Sequence, residues 1–517
     1  MIIASLLLHA ALLSALPNDA VHPKAAEVAA TSPERARDAA SAEMSREPSA
    51  EENPVVTRHE VAIGGKSLKY TVTAGTLPVV AASGETEAHM FFVAYTADKA
   101  GNHGQRPLLF AFNGGPGSSS VWLHLGAIGP KRVKLPDDGS MPPPPYQLTD
   151  NDETWLDQAD LVFVDPVGTG YSRAVKPDQA EKFFSLKGDM ESVGEFIRLY
   201  LTRYRRWSSP LFLVGESYGS MRAAGLADNL LDHGIACNGI ILVSAALNFS
   251  TISFTPGNDL PYALFLPSYT AIAWYHKKLS PDMGSDLPAL LGEAEKWATT
   301  DYLAALAKGD RLAPAERQSV VGRLARYTGL DERYIDNSDL RIEAGRFAAE
   351  LLRDRKKTVG RFDGRLLGDD ISATAEHAEF DPSLAALRPP FTATFNDYVR
   401  GELGYRSDRE YFILGGGIGR WDWGSNNSFA DTGAALRSAF GKNPYMRLFV
   451  ASGAFDLATP YTGSDYTLAH LGLDRALRRN ITTARYPAGH MLYTDARSRA
   501  ELKRDIADFL RTAASPR

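Results

Sequence analysis

LFLVGESYGS, residues 211–220, carries four apolar residues to a serine flanked at two removes by Gly215 and Gly219. Leu211 to Val214 suit a fully buried strand. A hydroxyl directly behind such a run is costly unless the chain turns sharply and lifts it clear of the core. The two glycines allow that turn, because neither has a Cβ to collide with the neighbouring strand and helix. The stretch therefore predicts a strand, an exposed Ser217 and a helix, the arrangement that presents a nucleophile at a strand–helix corner. A loop serine after an ordinary strand fits the same residues, so the surrounding sequence has to decide.

Working outward, HEVAIGGKSLKYTVTAG (59–75) alternates with period two around a Gly-Gly turn, and HMFFVAYTAD (89–98) follows as another strand. RPLLFAFNGG (106–115), DLVFVDPVG (160–168), NGIILVSAAL (238–247), MRLFVASGAFD (446–456) and ITTARYPAG (481–489) are further strand candidates. Amphipathic helical patterns separate several of them, notably GDMESVGEFIRLYLTRY (188–204). Apolar strands alternating with helices predict an α/β fold with a mostly parallel central sheet. Between about residues 255 and 390 the strand signals thin out and helix periods dominate. LAPAERQSVVGRLARY puts Val320, Val321, Leu324 and Tyr327 on one side behind Pro314. LRIEAGRFAAELLRDR aligns Leu340, Ala344, Phe347 and Leu351, with Asn337 and Ser338 as candidate caps. Such a block between strands of one sheet predicts an inserted helical cap.

An activated serine needs a base, and the base needs a partner that holds its tautomer. Behind a strand–helix corner these partners come in the order Ser, Asp or Glu, then His, each on a loop after a strand. Asp456 directly follows one strand candidate and His490 the next, at the carboxyl ends where ligands bind in open α/β sheets. Taken singly, an aspartate or a histidine is more often structural; three residues in the required order and context point to acyl-transfer chemistry. Donors for a developing oxyanion have a candidate source in AFNGGPGSSS (111–120), a glycine-rich turn behind an apolar strand. A phosphate-cradling loop is the rival reading of that turn, but its G-K-[ST] signature is absent.

In this order NGGPGSSS, DLVFVDPVGTGYS, GESYG, GAFD and GHM resemble the successive motifs of the serine carboxypeptidase family, a branch of the α/β-hydrolases with a helical insertion, here as a bacterial-type member. The resemblance runs from about residue 105 to 495. It implies Ser217 as nucleophile, Asp456 as orienting carboxylate and His490 as general base and acid. It implies an oxyanion hole from the backbone N–H groups of Gly115 and Tyr218, and substrate contacts from Asn113, Gly114, Glu216 and Met491. A peptide is the implied substrate, cleaved at its C-terminal residue without metal or organic cofactor. Esterase, acyltransferase or amide-tolerant peptidase activity on the same machinery is the alternative.

The departures bear on that choice. Ala111 stands where the family has Trp, Ala127 in AIGP where it has Glu, and DPVG (165–168) is one residue shorter than the family's D-Q-P-V-G. In the family that Glu, the Asn and the Glu before the nucleophile share the substrate's terminal carboxylate. Two carboxyls beside an anion hold a proton readily, which favours acidic conditions; with Glu216 alone, no acidic range is expected. Glu216 also reads as a helix-start acid stabilised by the dipole, and Met491 as core filling. Trp421 and Trp423 in WDWG fit either site walls or ordinary packing.

Composition bounds the rest. The 517 residues are 44% hydrophobic and 23% charged, and the net charge of −6 offers no basic field to a nucleic acid. A single cysteine, Cys237, excludes intramolecular disulfides and multi-cysteine metal sites, and reads as inert filling of a core strand. The opening MIIASLLLHAALLSAL is too short for a stable span but suits a signal peptide, so a secreted or periplasmic protein is expected, with no stable membrane span after processing. The expected plan is signal peptide 1–20, flexible linker 21–53, a hydrolase domain from 54–254 and 391–517, and the cap 255–390.

Overall fold

The alternation at the start of the folded chain becomes a hairpin. Strands β1 (Val55–Ile63) and β2 (Lys66–Val80) join through Gly64 and Gly65, whose φ angles of 54° and 76° suit glycine. This computed structural model describes residues 53–98, 105–372 and 374–515; the expected signal peptide and the linker up to residue 52 lie outside them. Further strands are β3 (Thr86–Ala97), β4 (Leu108–Phe112), β5 (Asp160–Val164), β6 (Leu211–Glu216), β7 (Gly239–Val243), β8 (Arg447–Gly453) and β9 (Ile481–Tyr486).

These strands form one sheet in the order β1-β2-β3-β5-β4-β6-β7-β8-β9, with the short segment Arg173–Ala174 pairing to β3. Pairings from β1 to β5 are antiparallel, and those from β5 through β9 are parallel. Every residue of β4, β5, β6 and β7 is buried, as expected for parallel strands covered on both faces. Period two then divides them. Leu109 and Ala111 join one core, Leu108, Phe110 and Phe112 the other.

Helices supply both coverings. On one face α1 (Leu186–Arg203) contributes Val193, Phe196 and Ile197, and α2 (Tyr218–Asp232) contributes Ala223, Leu226 and Leu230. A block of helices stands between β7 and β8: α3 (Leu260–Tyr275), α4 (Leu287–Trp297), α5 (Pro314–Thr328), α6 (Ala344–Glu350) and α7 (Pro382–Gly401). Of these, α7 sends Leu387, Phe391 and Phe395 to the opposite face of the sheet, beside Leu502, Ile506 and Leu510 of α8 (Ala496–Ala514). Helices α3 to α6 share a separate core in which Tyr269 stacks on Phe347 at 4.2 Å and which also takes in Ala454, Phe455 and Leu457 around Asp456. No helix among the described residues is long and apolar enough to cross a membrane.

Two local expectations change. Asn337 and Ser338 do not cap α6; they end the preceding helix Glu332–Asn337, and the chain passes through positive φ at Asp339 and Leu340 before α6 begins. The apolar stripe survives, since Leu340, Ala344, Phe347 and Leu351 are all buried. Cys237 is buried just before β7 rather than within it, and burial pushes its thiol up to about 12.

At the end of β6 the chain turns with Ser217 at φ 58°, ψ −127°, and α2 starts at the next residue. A Cβ on Gly215 would lie 2.1 Å from the carbonyl oxygen of Gly219, so the turn closes only where position 215 lacks a side chain, and one on Gly219 would lie 2.9 Å from the Phe112 carbonyl oxygen. Gly215→Ala is therefore expected to lower stability by about 1–3 kcal/mol, read as a lower urea midpoint without loss of cooperativity.

Candidate active site

Ser217 reaches a cavity of about 510 Å³ beyond the carboxyl ends of β4 and β6. Asn113, Gly114, Gly115, Glu216, Tyr218 and His490 line the same cavity, and Met491 lies at its wall. Asp456 is fully buried behind His490 and is not part of the lining. The structure thus brings together side chains from four separate loops.

His490 is tied on every side but one. Its Nδ1 lies 2.7 Å from Asp456 Oδ2 and 3.0 Å from Thr459 Oγ1. With Asp456 as acceptor, Nδ1 carries the proton and Nε2 is left as the basic nitrogen. Asp456 is held in turn by the N–H groups of Ala458 and Thr459 and by the Thr459 hydroxyl, at 2.7, 3.0 and 2.7 Å. The His490 backbone donates to the Phe362 carbonyl at 2.5 Å, its ring stacks on Phe362, and its own carbonyl accepts from Ser244 Oγ at 2.6 Å. Burial acts to lower the imidazole pKa, but the Asp456 carboxylate, with Glu216 adding, leaves it raised above the ordinary value.

Backbone contact explains why glycines precede both loops. A Cβ on Gly453 would lie 2.0 Å from the Gly489 carbonyl oxygen, and one on Gly489 2.2 Å from that of Phe362. The three loops therefore meet through main chain, which fixes the spacing of Asp456 and His490.

The N–H of Tyr218 belongs to the first residue of α2 and has no acceptor within the helix. Gly115, at φ 98°, borders the same cavity, and no hydrogen bond engages its N–H among the described residues. A buried ion pair holds their two segments together. Arg222 Nε donates to Asp189 Oδ2 at 2.8 Å and its Nη1 to the Asn113 carbonyl at 2.7 Å, while the Tyr218 hydroxyl also donates to Asp189 Oδ2. From the other side Asp165 Oδ1 accepts from both the N–H and the hydroxyl of Ser120 at 2.8 Å, tying DPVG to the end of NGGPGSSS.

Glu216 is only 2% exposed and is not a solvated helix-start acid. Burial is the main influence on its carboxyl and, against the opposing effect of His490, pushes it up to about 7. Loss of the acidic partner at Ala127 therefore does not leave an ordinary carboxylate. The hydroxyl of Tyr493 donates to Glu216 Oε2 at 2.7 Å. Asn113 Oδ1 accepts from the Leu123 N–H at 3.0 Å, which orients the amide and leaves the buried Nδ2 as the donor that acts on the Glu216 carboxyl. The two tryptophans part company: Trp423 lines the cavity beside Phe249, whereas Trp421 packs edge-on against Tyr218 behind it.

Sequence reasoning passed over Asp189, Arg222, Ser244, Thr459, Phe362 and Tyr493. Arg222 had a signal, a lone charge among the small residues of YGSMRAAG, and Tyr493 sits inside GHMLYTD. Ser244, Thr459 and Phe362 meet His490 through contacts between distant segments that no spacing encodes.

The model of the family described as serine carboxypeptidase matches residues 69–283. Serine carboxypeptidase-like 8 of Arabidopsis thaliana is 30% identical over 159 residues, covering 30% of this chain and 34% of that protein. Pheromone-processing carboxypeptidase KEX1 of Puccinia graminis f. sp. tritici is 30% identical over 154 residues, covering 29% of this chain and 22% of the relative. The matches thus span about a third or less of these relatives' lengths. Both are eukaryotic and lend no support to a bacterial-type member. The crystal structure of KEX1ΔP, a prohormone-processing carboxypeptidase from Saccharomyces cerevisiae, is similar in fold, with TM-score 0.50 and 18% identity over 85% of this chain and 91% of that one.

Arg222→Met is expected to cost about 3–5 kcal/mol in stability, because Asp189 is left buried without its partner. Chemical denaturation of the variant beside the parent measures it. The fold is that of the α/β-hydrolases, and within it residues 69–283 are similar to the serine carboxypeptidase family.

Proposed function

We propose that this protein is a serine carboxypeptidase that releases C-terminal residues from peptides through an acyl-enzyme. The observation that carries the reading is the Asp456-bound His490, its Nε2 left over for the cavity that Ser217 enters beside the N–H groups of Gly115 and Tyr218. Nε2 takes the Ser217 proton as Oγ attacks the scissile carbonyl. The Gly115 and Tyr218 N–H groups receive the oxyanion. The imidazolium, steadied by Asp456, gives its proton to the leaving amine, and water then repeats the sequence on the acyl-enzyme. Asn113, Gly114, Glu216 and Met491 form the pocket for the departing residue. Helices α3 to α6 act as a cap on a hydrolase domain made of the segments before and after them. The reading includes export, supported by the apolar opening of the sequence.

Ala127 favours one second reading, an esterase or amide-tolerant peptidase that does not depend on a free terminal carboxylate. A blocked dipeptide offered as free acid, amide and methyl ester tests both. Preference for the free acid supports the carboxypeptidase; equal turnover of all three overturns it in favour of the alternative. Ser217→Ala is expected to lower kcat by roughly four to six orders of magnitude with an unchanged circular dichroism spectrum. Because His490 must be neutral to act as base and its pKa is raised, kcat/KM on the amide should climb with pH through a midpoint above the ordinary histidine value.

A further inference from the structure

Where a second carboxyl is missing, the chain has put a phenol. Tyr493 is fully buried, its hydroxyl 2.7 Å from Glu216 Oε2, and its ring lies against Gly126, where a Cβ would fall 2.5 Å from Cε2. The small pair Gly126–Ala127 thus accompanies the ring that supports Glu216. A phenol differs from a carboxyl in one decisive way: as a neutral donor, it occupies Oε2 whether Glu216 is charged or not. With Oε2 taken by the phenol, a proton on Glu216 sits on Oε1. Asn113 Nδ2 is a second donor acting on Glu216, and Asn113 lines the same cavity.

We propose that Tyr493 is a positioning residue for recognition of the substrate's terminal carboxylate: by holding Oε2 of Glu216 it directs the Oε1 proton, beside Asn113 Nδ2, at that anion. This rests on the carboxypeptidase reading above. Neutral Glu216 donates to the carboxylate; ionised Glu216 repels it. The titratable groups facing Glu216 are His490, Asp456 and Tyr493. Arg361 at the cavity mouth faces His490, and Arg222, paired with Asp189, lies behind Asn113. Burial puts the Glu216 transition at about 7. The Tyr493 hydrogen bond favours the ionised form, so its removal moves the transition upward.

The test is the ratio of kcat/KM for a blocked dipeptide free acid to that for its amide, followed across pH, since His490 titration enters both substrates and divides out. In the parent this ratio should fall with rising pH, by about tenfold per pH unit once Glu216 has ionised. In Tyr493→Phe the fall should begin about one pH unit higher, the shift expected for losing a hydrogen bond to a charged group. In Glu216→Gln the ratio should no longer depend on pH, which reports on the same recognition without touching Tyr493. A parent ratio that falls with pH but keeps its midpoint in Tyr493→Phe overturns the role of Tyr493 and leaves the carboxypeptidase reading standing. A ratio near one at every pH in the parent overturns that reading, and this proposal with it.

Discussion

Main chain touching main chain at the strand ends is the constraint from which the site follows. The loops after β8 and β9 and the segment around Phe362 approach closer than any side chain allows, Gly453 to Gly489 and Gly489 to Phe362. The corner after β6 closes on itself in the same way at Gly215 and Gly219. Such contacts have little play, because they depend on no rotamer. They turn three distant stretches of sequence into one rigid rim. The serine conformation at φ 58° is tolerable only inside such a rim, where surrounding packing determines the backbone more strongly than local preference does.

Charge fixes what glycine leaves loose. The Asn113–Gly115 segment has little side chain of its own to pack, yet it borders the cavity that Ser217 enters. Arg222 and Asp189 supply the anchorage from below, and Asp165 supplies it from beyond Ser120. Buried ions are costly by themselves, but here each finds several fixed partners, the condition under which a low-dielectric interior strengthens electrostatic contacts.

Much of this was legible in the sequence, and the exceptions have physical reasons. The parallel sheet announced itself because strands buried on both faces must be apolar throughout, as in LLFAF and GIILV. The nearness of Ser217, Asp456 and His490 followed from a rule of parallel sheets, that loops behind adjacent strands emerge on one side. The start of α6 was misread because Asn337 and Ser338 satisfy the composition of a cap, while the left-handed turn at Asp339 and Leu340 was set by packing. The burial of Glu216 was not legible for a related cause: its identity is visible, but its surroundings include Tyr493, 277 residues along the chain. Burial is a property of neighbours, and neighbours distant in sequence leave no local trace.

The contact between Phe362 and His490 has a bearing on how this architecture could diversify. Phe362 belongs to the segment between α6 and α7, yet its carbonyl receives the His490 backbone and its ring covers the imidazole. Exchanging the whole segment between β7 and β8 for a foreign one would therefore disturb the placement of the His490 imidazole as well as pocket shape. Variation is freer along α4 and α5, which do not line the cavity, than across Arg361 to Gly364, which acts as a splice between the accessory helices and the loop that carries His490.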